Sequence, residues 1–321
     1  MKTYKLVFTS SSLIDKLPDS QTIFGAVCNV IKLTKGPEAL DDYLSSFNND
    51  EPWFIHSSMF VEGIFPSIKK NIFDLLTVNN VVSNQSPKEK LDVLSNFKKY
   101  KKINGISENV FRKYICLGKT EDITVDLIEE KLISDERNIL KENDESIKNA
   151  NKLVEKTYRV RLDGLNEKEE EGKLFINKVI FYSKDTKYTI YVKTRKEKQE
   201  ISKIFNCFNY FALGSKGSIG RNLFKLEKCE EINFPSTSNH KMILSKYIPN
   251  GDEFNVENSS YSLSLNNYIG GIKNKRLLGS FSHFEEGSLM DFYHKKDFYG
   301  KIVEIIQGRE TVYHYGIGFV V

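Results

Sequence analysis

Apolar positions along the chain change their period several times, and each change marks an element. Lys2 to Thr9 carries a compact apolar centre, Leu6-Val7-Phe8, and predicts a first strand. Ser10, Ser11 and Ser12 open a loop that runs to Pro18. Asp19 or Ser20 can then cap a helix by accepting hydrogen bonds from its free N–H groups. Ile23, Val27, Val30 and Ile31 recur every three or four residues, which predicts one buried helical stripe through about residue 34. Pro37 suits the first turn of a second helix over 37–47. Trp53 to Val61 reads as a strand, broken at Gly63 and Pro66. Strand, helix, strand is the opening half of a split β-α-β unit.

From Ser83 to Lys156 aromatics thin out, charges multiply and no strand period is sustained. That is too long for a plain connection, so the reading is an inserted helical or partly mobile element over about 84–156. Beyond it, Thr157 to Leu165 and Lys173 to Tyr182 read as extended. Tyr188, Ile190 and Val192 alternate with Thr189, Tyr191 and Lys193, the period of a half-buried strand. Ile201, Ile204, Phe205 and Phe208 form a helical stripe, and Leu223 to Leu226 resumes a strand after a glycine-rich loop. Lys301–Ile306 and Thr311–Tyr315 flank a turn and predict a hairpin. The expected architecture is α+β, in two β-α-β-rich halves: residues 1–156, including the charged insertion, and residues 157–321, including the glycine-rich loop 214–221.

Composition narrows the function classes. The chain has 321 residues, 40% hydrophobic and 28% charged, an ordinary globular balance. No apolar run approaches the roughly 18 residues of a membrane span, and the start lacks the apolar core and cleavage site of a signal peptide. A soluble, cytoplasmic protein with no membrane partner is expected. Cys28, Cys116, Cys207 and Cys229 stand 88, 91 and 22 positions apart, which excludes a Cys-x-x-Cys zinc or redox motif. The five histidines form no His-Glu-x-x-His arrangement, so neither a metal nor a cofactor is expected. Net charge is only +4, but its distribution is uneven: +6 over 88–119, −7 over 120–147 and +6 over 193–228. Two basic blocks around an acidic one suit a polyanion on one surface and a protein on another, or simply solvated faces.

Several segments could carry chemistry. Gly214-Ser215-Lys216-Gly217-Ser218-Ile219-Gly220-Arg221 is the sharpest. Glycines let a backbone approach a bulky anion and offer its N–H groups, with Lys216 and Arg221 adding charge and Ser215 and Ser218 hydroxyls. Its spacing fits neither a P-loop nor the dinucleotide fingerprint, and it follows a helix and precedes a strand. A plain helix C-cap and turn is the alternative. Asp19-Ser20-Gln21-Thr22 puts polar groups at a positive helix end, for phosphate or sugar contact or for capping alone. His56-Ser57-Ser58 interrupts an apolar strand, as a site or as a structural histidine. Arg159 and Arg161 share one side of an extended segment and could track a phosphate backbone or pair with carboxylates.

In order and spacing these pieces resemble the guide-binding subunit four of type III-A CRISPR Csm effector complexes, a RAMP-superfamily family. The resemblance runs through Asp19 to Cys28, Ser57-Ser58-Met59-Phe60 with Phe65-Pro66, and Phe97-Lys98-Lys99-Tyr100-Lys101-Lys102. It continues through Tyr158-Arg159-Val160-Arg161-Leu162-Asp163, Gly172-Lys173-Leu174-Phe175 and the glycine loop, to Phe284-Glu285-Glu286-Gly287-Ser288 and Tyr315-Gly316-Ile317-Gly318-Phe319. Two departures stand out: Gly164 replaces a basic residue after Asp163, and the loop ends Gly220-Arg221-Asn222. The resemblance implies two ferredoxin-like domains of the RNA-recognition-motif type, with the glycine loop facing a guide RNA (crRNA). It implies a non-catalytic subunit that holds the guide's 5′ handle and bridges the large polymerase-palm subunit to the adjacent backbone subunit. It also implies a thumb beside the first guide–target RNA base pairs, which we map onto the 84–156 insertion. The implied RNA contacts are Ser11, the Asp19–Thr22 tetrad, His56, Ser57, Ser58, Arg159, Arg161 and residues 214–221.

Two other classes are to be weighed. A metal-independent RAMP endoribonuclease cutting precursor guide RNA needs a general base, for which His56 and His283 are the candidates. A pure protein-interaction subunit would use the acidic 120–147 segment against a basic neighbour.

Overall fold

The computed structural model describes residues 1–69, 102–147, 152–162, 169–214, 217–235, 240–270, 276–307 and 310–321. Strand β1 (Lys2–Ser10) leads into helices α1 (Ser20–Lys35) and α2 (Pro37–Asn48), then strands β2 (Phe54–His56), β3 (Phe60–Val61) and β4 (Ile64–Pro66). Next come β5 (Gly105–Ser107), helical turns Glu108–Val110 and Phe111–Cys116, α3 (Asp122–Ile128), β6 (Leu132–Ser134) and β7 (Ile139–Glu142). A long ribbon, β8 (Lys152–Leu162) and β9 (Glu169–Tyr182), precedes β10 (Lys187–Thr194), α4 (Lys198–Asn206) and β11 (Phe224–Ile232). The remainder is β12 (His240–Met242), β13 (Phe254–Ser260), β14 (Leu263–Gly270), β15 (Arg276–Phe284), β16 (Leu289–Phe292), β17 (Tyr299–Gln307) and β18 (Glu310–Gly318).

The expected α+β class with a ferredoxin-like unit is that of the structure. The central sheet runs β11-β1-β10-β2, with every neighbour antiparallel. Taken in chain order, these four strands lie 4-1-3-2, the split β-α-β arrangement of a ferredoxin-like fold. Two strands come from the first sixty residues and two from beyond residue 186, so a cut at 156 passes through a sheet. The glycine-rich loop, which joins α4 to β11, therefore belongs to the same unit as β1 and α1. After β11 the chain builds a three-stranded sheet, β12-β16-β13, and two ribbons, β14-β15 and β17-β18, with no helix among the described residues.

Side-chain alternation puts apolar groups on both faces of the central sheet. Tyr4, Leu6 and Phe8 lie opposite Val192, Ile190 and Tyr188 and face the helices. Phe8 stacks on Phe208, and Phe205 packs between Phe8 and Phe54. Ile23, Phe24, Val27, Val30 and Ile31 form the buried stripe of α1, and each such side chain contributes about 1.5–3 kcal/mol of burial. The other face is covered too. Tyr191 packs against Phe65, Phe234 and Phe319, and Phe65 stacks on Phe111. Strand β10 is consequently buried on both sides, where its alternation predicts one exposed face.

That second layer also corrects the reading of the insertion. Over 102–147 the chain is a small α/β unit: β5, β7 and β6 form a sheet with β4, and the helical turn Phe111–Cys116 sends Phe111, Tyr114 and Ile115 into the main core. Where a helical or partly mobile insertion is expected, its described part is short helical turns and short strands packed into the body; residues 84–101 and 148–151 lie outside the described residues. The β8–β9 ribbon, by contrast, pairs with no other named strand and is tied at its base by an Ile14–Ile180 bridge. The C-terminal hairpin returns to α1: Gln21 Nε2 donates to the Tyr313 carbonyl at 3.2 Å and Gln21 Oε1 accepts from Tyr315 N–H at 2.5 Å.

Candidate nucleic-acid interface

The first turn of α1 is where the predicted residues meet. Asp19 is its N-cap, with extended backbone (φ −78°, ψ 170°). Its Oδ1 accepts from Thr22 N–H at 2.9 Å and from Thr22 Oγ1 at 2.7 Å. Its Oδ2 accepts from Lys246 Nζ at 2.7 Å. Burial alone would raise the Asp19 pKa; the Lys246 ammonium and the hydrogen bonds from Lys246 and Thr22 outweigh it and bring the value to about 2. Ser20 is buried, its N–H donating to Ser58 Oγ at 2.9 Å and its Oγ accepting from Lys246 N–H at 3.0 Å. With Gln21 bound to β18, all four side chains of the tetrad tie the fold together. The capping alternative accounts for the hydrogen bonds these side chains make.

His56-Ser57-Ser58 is a second crossroads, and an internal one. His56 is fully buried and stacks on Tyr315 at 4.5 Å between ring centroids. Its Nδ1 lies 3.1 Å from the Ser57 carbonyl, and desolvation pushes its pKa down to about 4. Ser57 Oγ accepts from Tyr191 N–H at 2.9 Å, filling the gap where the edge strand breaks between β2 and β3. Ser58 N–H donates to the Leu244 carbonyl at 2.8 Å and Ser58 Oγ to Glu286 Oε1 at 2.5 Å. His56 and Ser57, expected as RNA contacts, are enclosed instead: a polar triplet inside an apolar strand marks here a junction of three segments.

The glycine loop is exposed at its tip and fixed at its ends. Leu213 N–H donates to the Asn222 carbonyl at 2.9 Å, and Asn222 Nδ2 donates back to the Leu213 carbonyl at 3.1 Å. Asn222 N–H reaches the Leu13 carbonyl, and Asn222 Oδ1 accepts from Asp15 N–H. Arg221 is 4% exposed and its Nη1 pairs with Asp15 Oδ1 at 3.1 Å. Its expected place as a surface cation is corrected: the charge points inward and braces the loop. Gly214 has φ +87°, and a Cβ there would stand 3.1 Å from Thr22 Cγ2, so the loop lies directly on the first turn of α1. Gly220 has φ +72° with open space around it, and Gly214, Ile219 and Gly220 are exposed. Gly217 and Ile219 bound a short 3-10 turn that includes Ser218; Ser215 and Lys216 lie outside the described residues.

Ser11 is exposed and adjoins this loop, its N–H donating to the Leu223 carbonyl at 3.0 Å. Arg159 lies opposite Phe175 in the β8–β9 ribbon, and Arg161 falls at its register shift, away from the loop in the chain's pairing. The structure thus sets Gly214 against Thr22 and ties Ser11 to Leu223 at the loop's far end. Sequence reasoning missed Asp15, Asn222 and Lys246, which hold that arrangement in shape. Asn222 follows the glycine run and has φ +58°, a turn signal readable in hindsight; nothing in the sequence marks Lys246. Among the described residues no group of three or more His, Cys, Asp or Glu is placed to hold a metal ion, and no helix is long and apolar enough to cross a membrane.

No family model matches the chain, and no curated protein matches it in sequence. Solved structures do. A crystal structure of a Csm3–Csm4 subcomplex of the type III-A CRISPR–Cas interference complex matches with TM-score 0.62 and 18% identity, over 100% of this chain and 98% of that chain. Csm1–Csm4 cassettes in complex with pppApA and with AMPPNP match with TM-scores of 0.59 and 0.58, each at 16% identity over 100% of this chain and 97% of that chain. The likeness is one of fold and runs from end to end. Csm4 is the subunit these three structures have in common.

Proposed function

We propose that the chain is the Csm4-type subunit of a type III-A effector, a cytoplasmic, non-catalytic protein that holds the 5′ handle of the guide RNA. In this role it bridges the large polymerase-palm subunit and the first backbone subunit. The observation that carries the reading is the whole-length fold match to structures in which Csm4 is paired once with Csm3 and once with Csm1. A subunit found with each of two others fits a bridge.

The RNA-facing part is the exposed tip of the 214–220 loop beside Ser11 and Thr22. Single-stranded RNA is held by backbone donors, stacking and 2′-hydroxyl contacts. The open sheet face on which RNA-recognition motifs stack bases is not free here, because Phe65, Phe234 and Phe319 cover it. That occlusion moves the contact to the loop at the sheet's end. Burial speaks against the endoribonuclease alternative: His56 is enclosed beneath Tyr315 and His283 is 3% exposed, whereas a general base must reach the 2′-hydroxyl. The thumb expected over 84–156 is better assigned to the β8–β9 ribbon, which leaves the body while 102–147 packs into it.

UV crosslinking of the reconstituted assembly tests the reading. Labelled peptides from 11–22 and 213–223 are expected. Association with Csm1- and Csm3-type subunits that survives ribonuclease, with no RNA crosslink to this chain, would leave only a protein-interaction role. Specific cleavage of repeat RNA in EDTA, lost on His283→Ala, would restore the enzyme.

A further inference from the structure

A sheet edge whose N–H and C=O groups face solvent recruits other chains, and proteins discourage this with charged side chains or Pro along the edge strand. The outer strand of the central sheet is guarded in this way: β11 carries Lys225, Glu227, Lys228, Glu230 and Glu231. Strand β14 is not. It pairs with β15 alone, so its other edge is unpaired among the described residues. Leu263 to Gly270 contains no charged residue and no Pro. Among the strands of eight residues or more named above, β14 alone carries none of Asp, Glu, Lys or Arg.

Its side chains add to the exposure of its backbone. Leu263 lies opposite Phe284 and Leu265 opposite Ser282, while Ser264 and His283 take the other face. Phe284 packs on Tyr247, Phe254 and Tyr261 in the smaller core. Leu263 and Leu265 continue that aromatic cluster outward, and they are 57% and 62% exposed. Charge decides what could cover them. No Lys or Arg occurs from Tyr247 to Ile272, and the next in the chain, Lys273, lies beyond the far end of β14. A phosphate backbone is held by cations, and this stretch offers none. An extended peptide needs only the two things present here, open backbone groups and alternate apolar contacts.

We propose that the free edge of β14 takes an extended, apolar, weakly charged segment of a neighbouring protein subunit, added as a third strand with Leu263 and Leu265 packed against its side chains. The proposal rests on the reading that the chain works inside a multi-subunit effector, and it deepens that reading by naming a surface and the chemistry of what covers it. A two-stranded ribbon is marginal by itself, and a third strand with an apolar face is what makes such a sheet stable. The same step hides an edge that would otherwise aggregate.

Leu263→Lys combined with Leu265→Lys gives β14 the guard that β11 has. Both side chains are exposed, so the variant is expected to melt with the wild-type chain. Each full chain is titrated, with ribonuclease present, against Csm1-type and Csm3-type subunits by biolayer interferometry. Affinity for at least one of them is expected to fall roughly 10- to 100-fold, the scale of hot-spot side chains, with guide-RNA affinity unaltered. Hydrogen exchange of the wild-type chain gives a measure free of any substitution: the amides of 263–269 should slow when that subunit is added. Unchanged affinity for both subunits, with unchanged exchange over 263–269, would overturn the strand addition and leave the effector reading standing. So would an effect confined to RNA affinity, or to self-association of the isolated chain in analytical ultracentrifugation, which would give the edge to RNA or to a second copy. A wild-type chain that binds neither subunit would remove both readings.

Discussion

Arg221→Ala separates two roles that the sequence merges in one basic residue. As a phosphate ligand, Arg221 would matter to RNA and little to folding. In the structure its side chain is 5% exposed and faces Asp15 across 3.1 Å, with Asp15 itself 16% exposed. Removing Arg221 takes a charge-assisted hydrogen bond from a part-buried carboxylate, a loss of about 1.5–3 kcal/mol. At about 1.5 degrees per kcal/mol for a chain of this size, the melting temperature should fall by roughly 2–5 °C. Arg221→Met combined with Asp15→Asn should lose less than Arg221→Ala alone, because the cation and the carboxylate it faces are then removed together. RNA binding supplies the second axis. Lys216→Ala should flatten the dependence of log K on log salt by about 0.7, one single-strand phosphate contact. Arg221→Ala should weaken binding through a loosened loop without that change of slope. Thermal melts and anisotropy titrations over a salt series measure both. An Arg221→Ala protein with unaltered melting and a slope reduced as in Lys216→Ala would refute the inward brace.

Four further outcomes are expected. Gly287 has φ +90°, and a Cβ would run into the Ser67 carbonyl, so Gly287→Ala should cost roughly 2–4 kcal/mol in urea melts, against about 1 for Gly63→Ala, which has the φ but open space. Asp19 titrates near 2 when folded and near 4 when unfolded. Its contribution of about 2 kcal/mol is therefore complete above pH 4 and lost as pH falls toward 2, and Asp19→Asn should flatten stability across that window. His56 runs the other way in residue type but not in sign: its folded pKa of about 4 lies below the unfolded value near 6.5. The unfolded chain takes the proton first, so stability falls between pH 6.5 and 4, and a His56→Phe protein should show a shallower fall in chemical denaturation over that range. Burial pushes the Cys28 thiol up to about 12 and Cys116 to about 11. Iodoacetamide at pH 8 should leave both unmodified in the native protein and label them in denaturant, as peptide mass spectrometry would report.

Local elements were legible because their signals are local. The α1 stripe, Pro37 at the start of α2, the β10 alternation and the closing hairpin all stand within a residue or three of their expected places. The partition into units was not legible, because it depends on pairings such as Leu6 with Ile190 and with Cys229, far apart in the chain. Three-residue strands such as β5 and β6 carry no period to read, and charged neighbours hide Phe111 and Tyr114, whose burial makes 102–147 part of the body. The candidate site was half legible. Glycine spacing pointed to the loop, yet whether Arg221 turns out or in depends on Asp15, over two hundred residues earlier. A buried salt bridge and a surface cation look alike in a sequence.

The place of β1 between β10 and β11 sets a schedule for synthesis. Its neighbours are made only after roughly 180 more residues, and the second is complete at Ile232. At about 5–20 residues per second, the nascent first strand waits on the order of 10–45 s before its ladder can close. Throughout that interval Leu6 and Phe8 are bare on the ribosome. Chains released early, by a stop codon or a broken message ahead of β11, would carry an orphan strand fit for aggregation and for the proteases that clear it.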